Sequence, residues 1–336
     1  MKVLYLSCHD TLEYDEVKLL SEIGCEVFST GSLLFKENLY RDNLDHININ
    51  KELKEEWLSF KKTSTNRANQ EISIPKSFVD NFDVVIVSFF QNWIPLNVDS
   101  FQHKNVLFRT IGQNLQNHEI SLRNYRNLVK IIRYSPAERS IPYYAGEDKI
   151  IRFYKDEKEF AGWTGENKSI INFSRDLNSR PDFCNYNIIK RIRNDIGIKV
   201  FGDGNEICED SACGKISYDK LKSEMRSNRV YLHTGTKPAS YTLNFIEAFM
   251  TGIPIVSVGT RLSQFMNLNL YEVQNFIQNG HNGYISDNYE EIKDYCVTLL
   301  SDDKLAKEIS TSARKTAISL FGKEKIKKQW SNILGV

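Results

Sequence analysis

The sequence predicts an α/β protein with two doubly wound domains. The chain has 336 residues, which exceeds one ordinary core and suits two domains. In both halves, short apolar stretches typical of buried strands alternate with stretches of helical period. The connections between these stretches are short, and strand–helix–strand units of this kind place their strands in parallel.

The first half begins with such a unit. Lys2–Ser7 has the pattern of a buried strand, and Leu12–Ile23 has apolar residues at roughly helical spacing. Gly24 closes that helix, and Cys25–Ser29 forms the next strand. Two further buried strands are expected, at Asp83–Ser88 and Asn105–Phe108. We therefore expect a first doubly wound domain over residues 1–155.

A second series of strands follows. It is expected at Ile170–Phe173, Lys199–Phe201, Arg229–His233 and Ile253–Val258, with helical stretches between. Residues 289–333 have apolar residues at helical spacing. We expect a second doubly wound domain over residues 166–318 and a C-terminal helix, 319–336, that packs back on the first domain.

Composition excludes several classes of function. The net charge is +1, so there is no global electrostatic case for binding nucleic acid or an anionic membrane. No apolar run is long enough to span a bilayer, and the first strand is too short for a signal peptide. The six cysteines are scattered without a CxxC pair, which favours a reduced, cytoplasmic protein.

The most informative stretch is Tyr231–Val256. It is expected to form a strand, a polar loop, a short helix, a tight Gly turn and a buried strand. The loop ends in Ser240-Tyr241-Thr242, which leaves backbone N–H groups and hydroxyls at a helix start, where a phosphate binds readily. Glu247 lies about one and a half turns further on and can accept two hydrogen bonds from a ribose diol. A diphosphate and a ribose on one element indicate a nucleotide-sugar site.

Four motifs, in order, resemble a known family. They are Ile23–Val27, Ile198–Gly204, Glu247–Val256 and Asn279–Ile285. The last three are similar to a central strand with a Gly turn, a glutamate-bearing helix with a Gly-x-Pro strand, and a Gly-rich hairpin. The chain resembles the retaining glycosyltransferases of the GT-B architecture, in particular glycosyltransferase family four (glycosyl transferases group 1). The resemblance implies two facing Rossmann-like domains, with the donor in the second and the acceptor in the first.

The family carries an arginine and a lysine, five residues apart, that clamp the leaving diphosphate. Arg175 and Arg180 have that spacing here. Fixed guanidinium groups stabilise the charge that builds on a departing diphosphate without a metal. The alternative is that both are ordinary surface arginines. The resemblance therefore implies catalytic roles for Arg175, Arg180 and Glu247.

Further positions are implied for donor binding. The resemblance implies phosphate contacts from Ser240, Tyr241, Thr242 and Leu243, and base contacts from the main chain of Lys215 and Ile216. The segment that contains Lys215 and Ile216 could equally be an ordinary turn. Gly202 and Gly204 either let the phosphate or base approach closely or serve only the turn.

The sequence departs from the family pattern at the donor sugar and at the acceptor. Ala239 replaces a glutamate that contacts the sugar, so Lys237, Ser240 or main-chain N–H groups hold the sugar, or the sugar is unusual. His9 and Asp10 follow the first strand at the edge where α/β sheets bind ligands, and either contact the acceptor or form a local turn. Arg109 also follows a strand, and it either contacts the acceptor or has a local role. His233 is expected to be a satisfied structural histidine.

A basic cluster lies in the first half. Arg123, Arg126, Lys130 and Arg133 are spaced three, four and three apart, and on a helix they would share one face. Val129–Tyr134 is either a strand or the end of a helix. The cluster is either a solvated face or a weak peripheral membrane contact.

The prediction is a glycosyltransferase that moves a hexose, expected to be glucose from a UDP-linked donor, to an unidentified acceptor with retention of configuration. No Asp-x-Asp motif is present, so we expect no metal and no further cofactor. Two alternatives stay open: a nucleotide-sugar epimerase of the same architecture and a non-catalytic nucleotide-sugar-binding module.

Overall fold

The chain divides into two α/β units in the computed structural model, which describes residues 1–36, 44, 48–60 and 71–336. The first unit comprises Met1–Phe153 together with Ile326–Val336, and the second comprises Tyr154–Lys325. Each unit contains a six-stranded sheet, and every strand pair recorded in the two sheets is parallel. The predicted α/β fold class with two doubly wound units is confirmed.

The strand order in the first unit is β2-β1-β3-β4-β5-β6. The strands are β1 (Lys2–Leu6), β2 (Glu26–Ser29), β3 (Val84–Ser88), β4 (Asn105–Arg109), β5 (Val129–Arg133) and β6 (Lys149–Ile150). The described helices of this unit are α1 (Asp10–Glu22), α2 (Lys51–Phe60), α3 (Lys76–Val79), α4 (Trp93–Leu96), α5 (Val98–Phe101) and α6 (Gln116–Arg123), with 3-10 turns at Ser32–Phe35 and Pro136–Ser140. All five residues of β3 are buried, as is typical of a central parallel strand.

The second unit has the strand order β12-β11-β10-β7-β8-β9. Its strands are β7 (Asn167–Phe173), β8 (Lys199–Phe201), β9 (Ala212–Gly214), β10 (Asn228–His233), β11 (Ile255–Val258) and β12 (Tyr284–Ser286). Its helices are α7 (Tyr186–Asp195), α8 (Tyr218–Ser227), α9 (Leu243–Thr251), α10 (Thr260–Ser263), α11 (Tyr289–Ser301) and α12 (Asp303–Phe321), with 3-10 turns at Glu206–Ser211 and Val273–Asn275. No helix in the described ranges is long and apolar enough to cross a membrane.

A last helix, α13 (Lys323–Leu334), ends the chain. From Ile326 onward its residues group with the first unit, where Trp330 is buried. The guanidinium of Arg109 lies 5.7 Å from the centre of the Trp330 ring, a cation–π distance. The chain therefore crosses from one unit to the other twice, at Phe153–Tyr154 and at Lys325–Ile326.

Arg109 is an interior residue, which corrects the expectation that it lies on the acceptor side. Its side chain is 0% exposed, and its Nε donates to Glu16 Oε1 at 2.8 Å. Its Nη1 donates to the carbonyl of Ile151 at 2.5 Å, and Tyr5 donates to the other Glu16 oxygen at 2.7 Å. The guanidinium of Arg109 therefore lies in the interior of this unit, where it links β4 to α1 and to the chain at Ile151.

The predicted basic helix face does not exist, because the cluster is divided between a helix and a strand. α6 ends at Arg123, and Lys130 and Arg133 lie on β5. Arg133 is fully buried and donates to both oxygens of Glu119 at 2.7 Å, while Arg126 donates to Asp148 at 2.6 Å. The membrane contact predicted from one shared helix face therefore loses its basis.

Replacing Arg133 by methionine tests this correction. Arg133→Met leaves the Glu119 carboxylate buried without its charge partner, and we expect the free energy of unfolding to fall by about 3–5 kcal/mol. Lys130→Met is the matched control, because Lys130 is exposed on the same strand and its loss should change stability by less than about 0.5 kcal/mol. Equal effects in urea unfolding would contradict the buried assignment.

Candidate functional site

Three loops of the second unit meet at the carboxyl edge of its sheet. They follow β7, β8 and β10, which are neighbours in the strand order. This is the edge at which open α/β sheets bind their ligands. The loops carry most of the residues predicted to bind the donor.

The loops after β7 and β8 are tied together through Asn205. Its Nδ2 donates to the carbonyls of Ser174 at 2.7 Å and Gly202 at 3.0 Å, and its Oδ1 accepts from Leu177 N at 3.2 Å. The backbone N–H of Asp176 also donates to Asp203 O at 2.8 Å. These bonds fix the backbone on both sides of Arg175.

Gly202 is needed for this interlock. Its φ is +128°, and a Cβ at this position would lie 1.9 Å from the carbonyl oxygen of Ser174. A side chain would therefore push the two loops apart. Gly204 is less extreme, since its Cβ would meet Asp176 Oδ1 at 2.9 Å. Of the two roles considered for these glycines, the structure provides direct support for the turn.

Arg175 and Arg180 lie on the same loop and are linked to each other. The Nε and Nη2 atoms of Arg180 donate to the carbonyl of Arg175 at 2.9 and 2.8 Å. Arg175 is about half exposed, with its Nε 3.5 Å from Asp176 Oδ2. The loop thus presents two guanidinium groups at the sheet edge, with Arg180 held in place by main chain.

The first turn of α9 lies beside the start of this arginine loop. Asn244 Nδ2 donates to the carbonyl of Phe173 at 3.3 Å, one residue before the loop begins. Thr242 caps the helix, and its hydroxyl accepts from Phe245 N at 3.2 Å. The positive end of a helix and two arginines therefore share one edge of the sheet, an arrangement suited to an anion.

Ser240 and Tyr241 are less available than the sequence suggested. Both side chains are buried, and the Tyr241 ring packs edge-on against Phe276 and Phe321. The carbonyl of Ser240 accepts from Glu272 N at 2.9 Å. Thr242 and Leu243 are half-buried at the helix start, so they are the better placed of the four predicted phosphate contacts.

Lys237 lies on the loop after β10, and this loop packs on the chain that follows Arg180. The N–H of Lys237 donates to Phe183 O at 2.9 Å, and Asn185 Nδ2 donates to Thr234 O at 2.7 Å. Burial lowers the pKa of the Lys237 ammonium, and the charge of Asp182 opposes this effect. An anionic ligand at this edge would favour the charged form of Lys237.

Glu247 has a partner that sequence reasoning missed. It is buried on α9, and its Oε1 lies 2.6 Å from Lys155 Nζ. Both side chains are almost fully enclosed, at 2% exposure for Lys155 and 3% for Glu247. The apolar sequence around Glu247 indicated that a partner was required.

Lys215 and Ile216 connect β9 to α8. The N–H of Gly202 donates to Gly214 O at 2.9 Å, which places this connection beside the interlocked loops. Ser217 caps α8 by accepting from Lys220 N at 3.3 Å. Lys215 is exposed and Ile216 is half-buried. The segment has the form of an ordinary strand-to-helix turn at the edge of the sheet.

The two candidate histidines lie in different surroundings. His9 begins α1, with its Nδ1 3.5 Å from Leu12 N, and Asp10 is the first residue of that helix. His233 is buried at the end of β10, nearly parallel to the Tyr271 ring at 6.1 Å. Its Nε2 has no hydrogen-bond partner among the described residues, contrary to the expectation of a satisfied histidine. Burial lowers the pKa of His233 to about 3, so the ring is neutral.

Comparison with known proteins shows likeness at the level of structure. No family model and no curated protein sequence matches the chain. The chain is similar to Anabaena Alr3699/HepE in complex with UDP and glucose, with a TM-score of 0.68 and 13% identity over 100% of this chain and 99% of that one. A glycosyltransferase from Rickettsia africae gives a TM-score of 0.65 and 16% identity over 99% and 97%. The protein TarM gives a TM-score of 0.55 and 16% identity over 75% and 55%.

At these identities the comparisons show the fold. The chain, with its two α/β units and their six-stranded parallel sheets, shares the fold of these structures. The sequence motifs and the structural likeness therefore agree on the same architecture.

Substituting Gly202 tests the interlock. We expect Gly202→Ala to lower the free energy of unfolding by roughly 2–4 kcal/mol, because it adds a clash with a carbonyl to an unfavourable φ. Gly214→Ala is the matched control, since its φ of +69° is also positive but no atom lies within 4 Å of the added Cβ. Equal losses for the two variants in urea unfolding would contradict a close approach at Gly202.

The buried neutral state of His233 predicts a pH dependence. The native pKa lies below its ordinary value of 6.5, so the unfolded chain takes up a proton first as the pH falls. Its contribution to stability is complete above pH 6.5 and is lost as the pH falls toward 3. Relative to His233→Gln, the wild type should lose up to about 1.4 kcal/mol per pH unit in that window. Parallel stability curves for the two proteins would exclude a neutral buried ring.

Proposed function

We propose that this chain is a glycosyltransferase that transfers a hexose from a UDP-linked donor, with glucose as the first candidate. The observation that carries the proposal is that the loop bearing Arg175 and Arg180 and the first turn of α9 lie at the same edge of the second sheet. The likeness to a protein whose structure contains UDP and glucose supports the choice of donor. The sequence motifs support membership of the retaining family four.

In this proposal the diphosphate binds between the arginine loop and α9. The two guanidinium groups and the N–H groups of Thr242 and Leu243 surround its oxygens. Glu247 accepts from the ribose hydroxyls, and the main chain of Lys215 and Ile216 meets the base. Ala239 offers no carboxylate to the sugar, so Lys237 is the polar side chain of this loop assigned to it.

The chemistry follows from where charge develops. The bond between the anomeric carbon and the phosphate oxygen breaks, and negative charge grows on the departing UDP. Arg175 and Arg180 stabilise that charge as fixed cations, which makes the transfer independent of a metal. The acceptor hydroxyl bonds to the same face of the sugar, and its proton passes to an oxygen of the leaving phosphate. We place the acceptor at the carboxyl edge of the first sheet, near His9 and Asp10.

Thermal unfolding against a panel of nucleotides and nucleotide sugars tests the donor. A ligand that binds the native state raises the unfolding temperature by mass action, and we expect UDP-glucose and UDP to do so. A matching release of UDP with an acceptor supports transfer. Isomerised UDP-sugar without released UDP would indicate an epimerase, and binding without turnover would indicate a binding module. Absence of any shift would contradict the donor site.

Variants of the arginine pair test the mechanism. We expect Arg175→Ala and Arg180→Ala each to lower kcat by about 100- to 1000-fold, because each removes a charge aimed at the leaving group. Arg191→Ala is the control, since Arg191 lies on α7 and pairs with Glu290 at 3.0 Å in solvent. Steady-state kinetics with UDP-glucose measure the effect. Unchanged turnover in Arg175→Ala would overturn the mechanism.

A further inference from the structure

The ion pair between Lys155 and Glu247 joins the helix of the candidate site to the segment that enters the second unit. The nitrogen and oxygen lie 2.6 Å apart, and both side chains are enclosed. The residues around Glu247 on α9 are apolar and fully buried, namely Phe245, Ile246, Ala248, Phe249 and Met250. A carboxylate in such surroundings is kept in one position by its cation.

Lys155 is itself held by main chain. Its N–H donates to the carbonyl of Phe321 at 3.2 Å, and it forms a parallel bridge with Gly322. The next residue, Asp156, accepts from Lys323 Nζ at 2.9 Å. Lys155 therefore lies on one of two chain segments that are hydrogen-bonded to each other. The backbone that carries its ammonium group is held in place by these bonds.

The same segment is also linked to the C-terminal end of α9, through Arg314. Arg314 donates to the carbonyl of Glu157 at 2.6 Å, and it also donates to the carbonyls of Phe160 and Met250. Met250 lies near the C-terminal end of α9. The helix is thus connected to residues 155–160 both through a side chain at its middle and through a carbonyl near its end.

We propose that Lys155 is a positioning residue for donor binding: it holds the Glu247 carboxylate oriented to accept from the 2′- and 3′-hydroxyls of the donor ribose. This rests on the proposed function, because it requires a nucleoside diphosphate at the N-terminal end of α9. A carboxylate has acceptor capacity for about four hydrogen bonds, so it can accept from an ammonium and a diol together. Hydrogen bonds to an ionised acceptor are also the stronger ones.

The test pairs a variant of the protein with a variant of the ligand. Binding of UDP and of 2′,3′-dideoxy-UDP is measured by titration calorimetry for the wild type, Lys155→Met and Lys155→Arg. We expect Lys155→Met to weaken UDP by about 10- to 100-fold, as expected for the loss of bonds to a charged acceptor. The dideoxy analogue should bind wild type and Lys155→Met with affinities within about twofold, because the coupled group is absent. Lys155→Arg should restore most of the UDP affinity.

A structural role for Lys155 would give a different pattern. If Lys155→Met weakens UDP and its dideoxy analogue by the same factor, or leaves UDP binding unchanged, the proposal is overturned. Lys323→Met is the matched control, because it breaks the neighbouring pair with Asp156 on the same two segments and keeps both Lys155 and Glu247. It should leave the ratio of the two affinities at the wild-type value.

A second variant covers the case in which Lys155→Met does not fold. The double variant Lys155→Met with Glu247→Gln removes both charges and leaves none buried alone. We expect it to bind UDP as weakly as the wild type binds the dideoxy analogue, and wild-type affinity would overturn the proposal. If the wild type itself fails to bind UDP, the donor site falls and this inference with it. If the wild type binds UDP without any coupling to Lys155, the inference alone fails.

Discussion

The interlock between the loops after β7 and β8 is the constraint on which the candidate site depends. Asn205 bonds to both loops, and Gly202 permits the approach of the Ser174 carbonyl. Together with the bond from Asp176 N to Asp203 O, this contact orders the backbone before and after Arg175. A catalyst that stabilises charge needs its cations in place before the reaction begins. The interlock supplies that order with main chain and one amide side chain.

Buried ion pairs have different tasks in the two units. In the first unit, Arg109–Glu16 and Arg133–Glu119 are enclosed, and their guanidinium groups also bond to carbonyls of Ile151 and Gly146. They tie strands to helices in the interior of the unit. In the second unit, Lys155–Glu247 lies on the helix that starts at the candidate phosphate site. Breaking any of these pairs leaves a charge without compensation, which makes one-sided changes costly.

The strands were predictable from sequence because buried parallel strands are short apolar runs. Val84–Ser88 and Ile255–Val258 lie inside the runs expected for them, and α9 lies between the polar loop and the Gly turn expected around it. The interpretation of Arg123 to Arg133 as one helix face was wrong, since helical spacing of charges also fits a helix end followed by a strand. The spacing of the charges alone does not separate these two cases. In the structure, Val129–Arg133 is a strand whose apolar residues are buried in the sheet.

The sheet edge that the predicted residues share was predictable from sequence, but the side-chain partners of those residues were not. Arg175, Arg180 and Thr242 meet at one edge because sequence order fixes where each strand ends. The burial of Arg109 could not be foreseen, because arginines are mostly exposed and Glu16 is distant along the chain. The role of Lys155 was missed for the same reason, because residues 155 and 247 are distant along the chain and come into contact only in the folded structure.

A crystal structure of the protein with UDP tests the central claim most directly. The account predicts that the diphosphate lies at the start of α9, within hydrogen-bond distance of Arg175, Arg180 and the N–H groups of Thr242 and Leu243, with the ribose at Glu247. Electron density for UDP at another surface, or a diphosphate without contact to either arginine, would contradict it.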